Sequence, residues 1–201
     1  VLSPAERWHL RIRLLSVPWH SVMAQFDMSP GTLLDVGCGP GLLSFLLEEG
    51  GYQGSYSGID PDARKTGRAE RWLGQSDRRN FTTADVGVTH GSFDQVSLLD
   101  VLYLVPSERR ASFISACAAR LSEGGRLTVL TSGGGPGWKR ALDRLQEKAA
   151  TGLGITHGEA CAPCDGAEVA RYMEGCGLRG IEVDDIGAGY LHGFELVTGS
   201  A

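Results

Sequence analysis

The sequence predicts a single α/β domain: a doubly wound, mostly parallel sheet with helices on both faces. Three observations carry this. Short apolar segments alternate along the chain with segments of helical period, the pattern of repeated strand–crossover–strand units. The strand segments are near-continuously apolar, as strands covered on both faces are. One of them passes through a glycine-rich loop straight into a helix, and open parallel sheets bind ligands at the carboxyl ends of their strands. A chain of 201 residues is long enough for one such domain with a sizeable core.

The elements follow in order. Ser3-Pro4-Ala5-Glu6 reads as a helix start, with Ser3 as cap, Pro4 in the first turn and Glu6 completing a capping box. Trp8, Ile12 and Leu15 then fall on one helical face, with Arg7 and Arg11 off it. Pro18 interrupts, and a second short helix is expected over 19–26. Ser29-Pro30-Gly31 is a turn. Strands are expected at 32–36, 55–59, 80–84, 93–99 and 126–131. Helices are expected at 41–49, ending at Gly50-Gly51, at about 62–74, and at 107–122, closed by Gly124-Gly125. After the glycine-rich stretch 132–137 comes a helix over 138–150. Asp165 and Glu168 form a second capping box for a helix closing at Gly177, and strands at about 180–185 and 190–197 finish the chain. Residues 1–28 form a helical lead-in to a domain spanning 29–201.

Composition narrows the function. The 29 glycines are about twice the usual share of roughly 7%, yet prolines number only 8, so the glycines belong to turns and close approaches of a packed fold. A net charge of −5 argues against a broad basic surface for nucleic acid. No apolar run reaches membrane-spanning length. The opening VLSPAERWHLRIRLL puts charges where a secretory leader has its apolar core. Five scattered cysteines fit reduced thiols in the cytoplasm.

The sharpest signal is LLDVGCGPG, residues 33–41. A dinucleotide loop wants G-x-G-x-x-G, whose third glycine falls on Leu42 here. Instead glycines stand at 37, 39 and 41, with Asp35 two residues ahead of the first. Asp60, in GIDPD, closes the second strand, where a carboxylate can accept hydrogen bonds from both hydroxyls of a ribose. That much also suits a nicotinamide cofactor. ADV at 84–86 follows the third strand, and FDQVSLLDVLYLV at 93–105 covers the fourth.

These four segments, in this order, resemble motifs of the class I S-adenosylmethionine-dependent methyltransferases, and the resemblance extends from about residue 30 to 200. It implies a seven-stranded sheet in the order 3-2-1-4-5-7-6 with the seventh strand antiparallel, and S-adenosylmethionine as cofactor. It places the cofactor on Asp35, Gly37, Cys38, Gly39 and Gly41 of the first loop, and on Asp60 and Pro61 after the second strand. Asp85 and Val86 would read the adenine, and Leu99 would line the methionine side. The [DNS]-P-P-[YFW] tetrapeptide of amino-methylating DNA enzymes is missing after strand four, as is the Pro-Cys of cytosine-C5 enzymes, so no DNA partner is expected. RNA is disfavoured by the acidic charge. Small bacterial methyltransferases are similar in the arginine-rich N-terminal helix, the segment from Trp138 to Glu147 and a Gly-Tyr near the last strand.

A small-molecule or lipid-like acceptor is therefore expected. Methyl transfer gains mainly from alignment, with a base needed only where the acceptor loses a proton. Asp100 and Tyr103 follow strand four and either position the acceptor or cap and pack. His192, two residues after Tyr190, shares its face if both lie on a strand, and is a candidate base. Trp138 and Arg140, behind a glycine hinge, and Tyr190 are candidate acceptor contacts. His157, Cys161, Cys164 and Cys176 supply only one Cys-x-x-Cys pair, so no metal is expected. The arginines at 64, 68, 71, 78 and 79, with Lys65, read as a solvated helix face. Rival readings at this point are an RNA or protein methyltransferase, a non-catalytic cofactor-binding subunit and a nicotinamide-dependent oxidoreductase.

Overall fold

The structure is a computed structural model that describes residues 4–132, 163–190 and 193–201. Its strands are β1 (Thr32–Val36), β2 (Ser55–Asp60), β3 (Arg79–Thr83), β4 (Phe93–Leu99), β5 (Leu121–Ser132), β6 (Arg179–Asp185) and β7 (Phe194–Ser200). Its helices are α1 (Pro4–Ser16), α2 (Trp19–Met23), α3 (Leu42–Glu49), α4 (Ala63–Leu73), α5 (Ser107–Ala118) and α6 (Gly166–Gly175). The strands form one sheet in the order β3-β2-β1-β4-β5-β7-β6. β1 to β5 pair in parallel, and β7 runs antiparallel to both β5 and β6. This is the order the resemblance implies.

Period-two alternation divides the core into two layers. Leu33 and Leu34 are both fully buried, but Leu33 packs with Val22, Leu43 and Leu47, whereas Leu34 packs with Ile114, Cys117, Val169 and Met173. The first layer is covered by α2, α3 and α4, the second by α5 and α6. Burial on both faces is why these strands read as apolar runs.

Four expectations are corrected. The helix from Ser107 stops at Ala118, because the chain already rejoins the sheet at Leu121, which pairs with Phe93. Gly124 and Gly125 therefore do not cap a helix. They lie within β5 beside a register shift against β4, where a Cβ on Gly125 would meet the carbonyl oxygens of Phe93 and Ser122 at 2.9 Å. The second helix ends at Met23, three residues early. The last strand starts at Phe194, and Tyr190 sits before it in a turn, its N–H donating to the Gly187 carbonyl at 3.2 Å. On α1 the apolar stripe faces solvent, with Trp8 65% and Leu15 81% exposed, while Leu10 turns inward. The expected cap at Ser3 and the helix over 138–150 lie outside the described residues.

Candidate active site

The site starts from β1. Beyond Val36 the Gly37 and Cys38 N–H groups both donate to the Ile59 carbonyl, at 2.8 and 3.0 Å, which folds the loop against the end of β2. Gly37, Gly39 and Gly41 have φ of +75°, +54° and +83°, a region costing other L-residues roughly 1–2 kcal/mol each. A Cβ on Gly37 would sit 2.5 Å from Val101 Cγ2, and one on Gly41 2.9 Å from Leu73 Cδ1. A Cβ on Gly39 would meet nothing within 4 Å. The first two positions are closed by the protein's own packing, and the third opens onto free space. α3 begins directly behind, with no side-chain cap on its first turn, an arrangement that favours a negative group.

That free space is a cavity of about 470 Å³, within the usual range for small-molecule sites. It is lined by Asp35, Gly37, Cys38, Gly39, Asp60, Pro61, Asp85, Val86, Leu99, Asp100 and Tyr103, which brings together residues from four separate sequence segments. Gly41 stands behind the wall, against Leu73 and Phe81. Tyr190 is not in the lining and packs edge-on to Phe194. The shared strand face expected for Tyr190 and His192 fails at Tyr190, since its turn precedes β7. Trp138, Arg140 and His192 lie outside the described residues.

Four carboxylates face or underlie the cavity. Asp35 is buried beneath the loop, where its Oδ2 accepts from Tyr56 Oη at 2.6 Å and its Oδ1 from Ser97 Oγ at 2.9 Å. Burial outweighs those bonds and raises its pKa to about 6. Asp60, 2% exposed, holds the loop: its Oδ2 accepts from Gly39 N–H at 3.2 Å and lies 3.5 Å from Lys65 Nζ, while Oδ1 accepts from Asp62 N–H at 2.9 Å. A carboxylate has about four lone-pair sites; three are engaged here, so one is open to a hydroxyl, and a second hydroxyl would take the place of the long contact to the half-exposed Lys65. Asp85 caps a 3-10 turn at Val86–Val88 through Gly87 N–H. Asp100 has φ +57°, the only non-glycine residue with positive φ among those described. Such strain costs on the order of 1–3 kcal/mol and concentrates at functional sites. Burial pushes the Cys38 thiol well above its usual range, so it stays protonated and is no nucleophile.

Sequence reading missed Leu10, Arg13, Trp19, Lys65 and Phe113, all in the lining. Lys65 reads in sequence as part of a solvated helix face but lines the cavity beside Asp60; the other four lie in no recognisable pattern. Arg13 reaches the cavity only because α1 packs 87 residues away from its partner, Asp100. In the basic stretch around α4, Arg64 pairs with Asp62, Lys65 with Asp60 and Arg79 with Glu48. No cluster of three metal-ligating side chains exists among the described residues.

The fit to S-adenosylmethionine rests on this donor set: an open glycine at Gly39, a buried acid at Asp60 and an acid followed by an amide at Asp85 and Val86. Comparison with known proteins agrees. Over 98% of its length the chain superposes on magnesium protoporphyrin IX methyltransferase from Synechocystis PCC 6803 with bound SAM, with a TM-score of 0.64, 19% identity and 81% of that chain covered. An O-methyltransferase family protein from Burkholderia thailandensis gives a TM-score of 0.72 and 18% identity, covering 94% of this chain and 57% of that one. At such identities the likeness is one of fold. In sequence, 113 residues are 34% identical to a ubiquinone biosynthesis O-methyltransferase of Xanthomonas oryzae pv. oryzae (strain PXO99A), over 55% of this chain and 46% of that protein. The chain thus spans about half the length of the curated relatives it matches. Sheet order and site define a class I methyltransferase fold. The methyltransferase domain family matches residues 7–183, and the chain belongs to that family. Its cofactor is S-adenosylmethionine.

Proposed function

We propose that this protein transfers the methyl group of S-adenosylmethionine to a hydroxyl oxygen of a small, largely apolar acceptor of phenolic type. The observation that carries this is a single cavity joining the open glycine and ribose-type acid at one end to Asp100 and Tyr103 at the other. When bound, the cofactor supplies an electrophilic sulfonium methyl. Asp60 would hold the ribose hydroxyls and Asp85 and Val86 the adenine, while Gly39 leaves room for the cofactor at the backbone. Asp35, both oxygens already engaged by Tyr56 and Ser97, supports the loop from below rather than by direct contact.

On the acceptor side the wall is apolar, with Leu10, Trp19, Val101 and Leu104 around Asp100 and Tyr103, which suits a flat apolar ring. An attacking hydroxyl must shed its proton, and the Asp100 carboxylate is the group placed to take it. The name of the Xanthomonas relative, a ubiquinone biosynthesis O-methyltransferase, supports oxygen as the methylated atom. No helix among the described residues is long and apolar enough to cross a membrane.

The test is transfer of labelled methyl from S-adenosylmethionine to a panel of 4-alkylcatechols, with S-adenosylhomocysteine and NAD as competitors. A labelled methyl ether, inhibited by S-adenosylhomocysteine and not by NAD, is the expected product. Label entering amines or RNA in place of the catechols would overturn the acceptor class. Substitution of Trp138, Arg140 and His192 in the same assay tests their proposed acceptor-side roles.

A further inference from the structure

Asp100 reaches its place by a strained backbone, and the reason lies in what holds its side chain. Its N–H donates to the Leu130 carbonyl at 3.0 Å, and the left-handed φ turns the chain out of β4 so that the carboxylate enters the cavity. Glycine would adopt that backbone without strain, so the conformation is kept for the side chain. Two other elements grip it. Ser132 Oγ, at the end of β5, donates to Oδ1 at 3.3 Å, and Arg13 Nη1, from α1, donates to Oδ2 at 2.9 Å. The Arg13 and Asp100 side chains are 31% and 14% exposed, partly shielded from the solvent that weakens surface pairs.

Among the described residues, α1 has few other contacts that hold it. Its apolar stripe faces water, Leu10 alone of its described apolar side chains is buried, and its last turn is tied by Trp19 Nε1 donating to the Arg13 carbonyl at 2.9 Å. Leu10, Arg13 and Trp19 all line the cavity. One bond therefore does two things: it fixes the orientation of Asp100, and it keeps α1 as part of the cavity wall.

We propose that Arg13 is a positioning residue for methyl transfer, clamping the Asp100 carboxylate toward the acceptor and docking α1 across the site by the same ion pair. This rests on the reading of Asp100 as the group that takes the acceptor's proton.

The experiment combines two readouts on Arg13→Met, Arg13→Lys, Asp100→Asn and the Arg13→Met/Asp100→Asn double variant. The first is backbone hydrogen exchange across residues 4–16 in protein saturated with S-adenosylhomocysteine. The second is methyl transfer to the 4-alkylcatechol probe. Arg13→Met should speed exchange in α1 about tenfold or more and lower kcat about tenfold, and Arg13→Lys should recover most of both. The double variant should be no slower in transfer than Asp100→Asn alone, because residues acting as one unit are non-additive. Unchanged α1 exchange in Arg13→Met, or transfer losses that multiply in the double variant, would overturn the proposal. If Asp100→Asn transfers methyl like the parent while α1 exchange still rises in Arg13→Met, the proton-acceptor assignment of Asp100 fails and the docking contact stands.

Discussion

Gly37, Gly39 and Gly41 share one sign of φ but answer to different constraints, and substitution separates them. Gly37→Ala drives a methyl to 2.5 Å from Val101 on top of the backbone cost, and should lose about 3 kcal/mol of stability in urea denaturation. Gly39→Ala meets no protein atom, so it should cost only about 1 kcal/mol while weakening S-adenosylhomocysteine in calorimetry at least tenfold. A Gly39→Ala protein that binds like the parent would show that the cofactor does not approach this loop. Asp60→Ala should also weaken binding more than tenfold, and it removes the acceptor of the Gly39 N–H. Both glycines were legible as a motif. The packing that distinguishes them was not, because Val101 is brought to Gly37 by the pairing of β1 with β4.

Among the elements, α5 and α6 show how a charged residue can be mistaken for surface. Arg110 looks like one more arginine in a polar helix start, yet it is 1% exposed. It donates to the Val105 carbonyl at 3.1 Å and the Pro163 carbonyl at 3.3 Å, and lies 3.5 Å from Glu168 of α6. Glu168 in turn accepts from Tyr172 Oη at 2.6 Å, so it completes only half of the expected capping box: its N–H donates to Asp165 Oδ1 at 2.8 Å while its carboxylate serves α5. Arg110→Ala empties a buried site and leaves the Val105 and Pro163 carbonyls and the partly buried Glu168 without their donor, so it should cost about 3 kcal/mol in chemical denaturation. A loss under ~1 kcal/mol would mean that the pair is solvated. The early stop of α5 has the same origin. Helical pattern continues past Ala118, but the hydrogen-bonding of Leu121 to β4 wins, and local propensity carries no information about that partner.

At the scale of the whole molecule, Asp35 couples the loop to pH. Its pKa is raised to about 6 in the folded protein, against roughly 3.9 in an unfolded chain. The folded state thus holds the extra proton between about pH 4 and 6. Stability from this group is present below pH 4 and is lost as pH rises through 6, by about 3 kcal/mol. Asp35→Asn should flatten that decline, since Ser97 Oγ can turn to accept from the amide and still donate to the Leu34 carbonyl 3.5 Å away. Denaturation at pH 4, 5, 6 and 7 compares the two proteins, and equal slopes would show that Asp35 ionises normally. Cofactor binding acts on the same balance: S-adenosylhomocysteine at one hundred times its Kd should add about 2.7 kcal/mol and raise Tm by roughly 5–10 °C.

The sequence by itself determined the strand–helix alternation and, through its family motifs, the sheet order, and it supplied the proposed cofactor-side positions from Asp35 to Val86. These are properties of local pattern: apolar runs where strands are covered on both faces, and glycines where the backbone must turn left-handed beside a ligand. Only the tertiary structure decided which of those residues line the cavity, that the Asp35 carboxylate is held beneath the loop by Tyr56 and Ser97, that Tyr190 turns away and that Arg13 meets Asp100. Each of those outcomes depends on elements far apart in the chain being packed together, and a contact across 87 residues leaves no mark on the sequence around either partner.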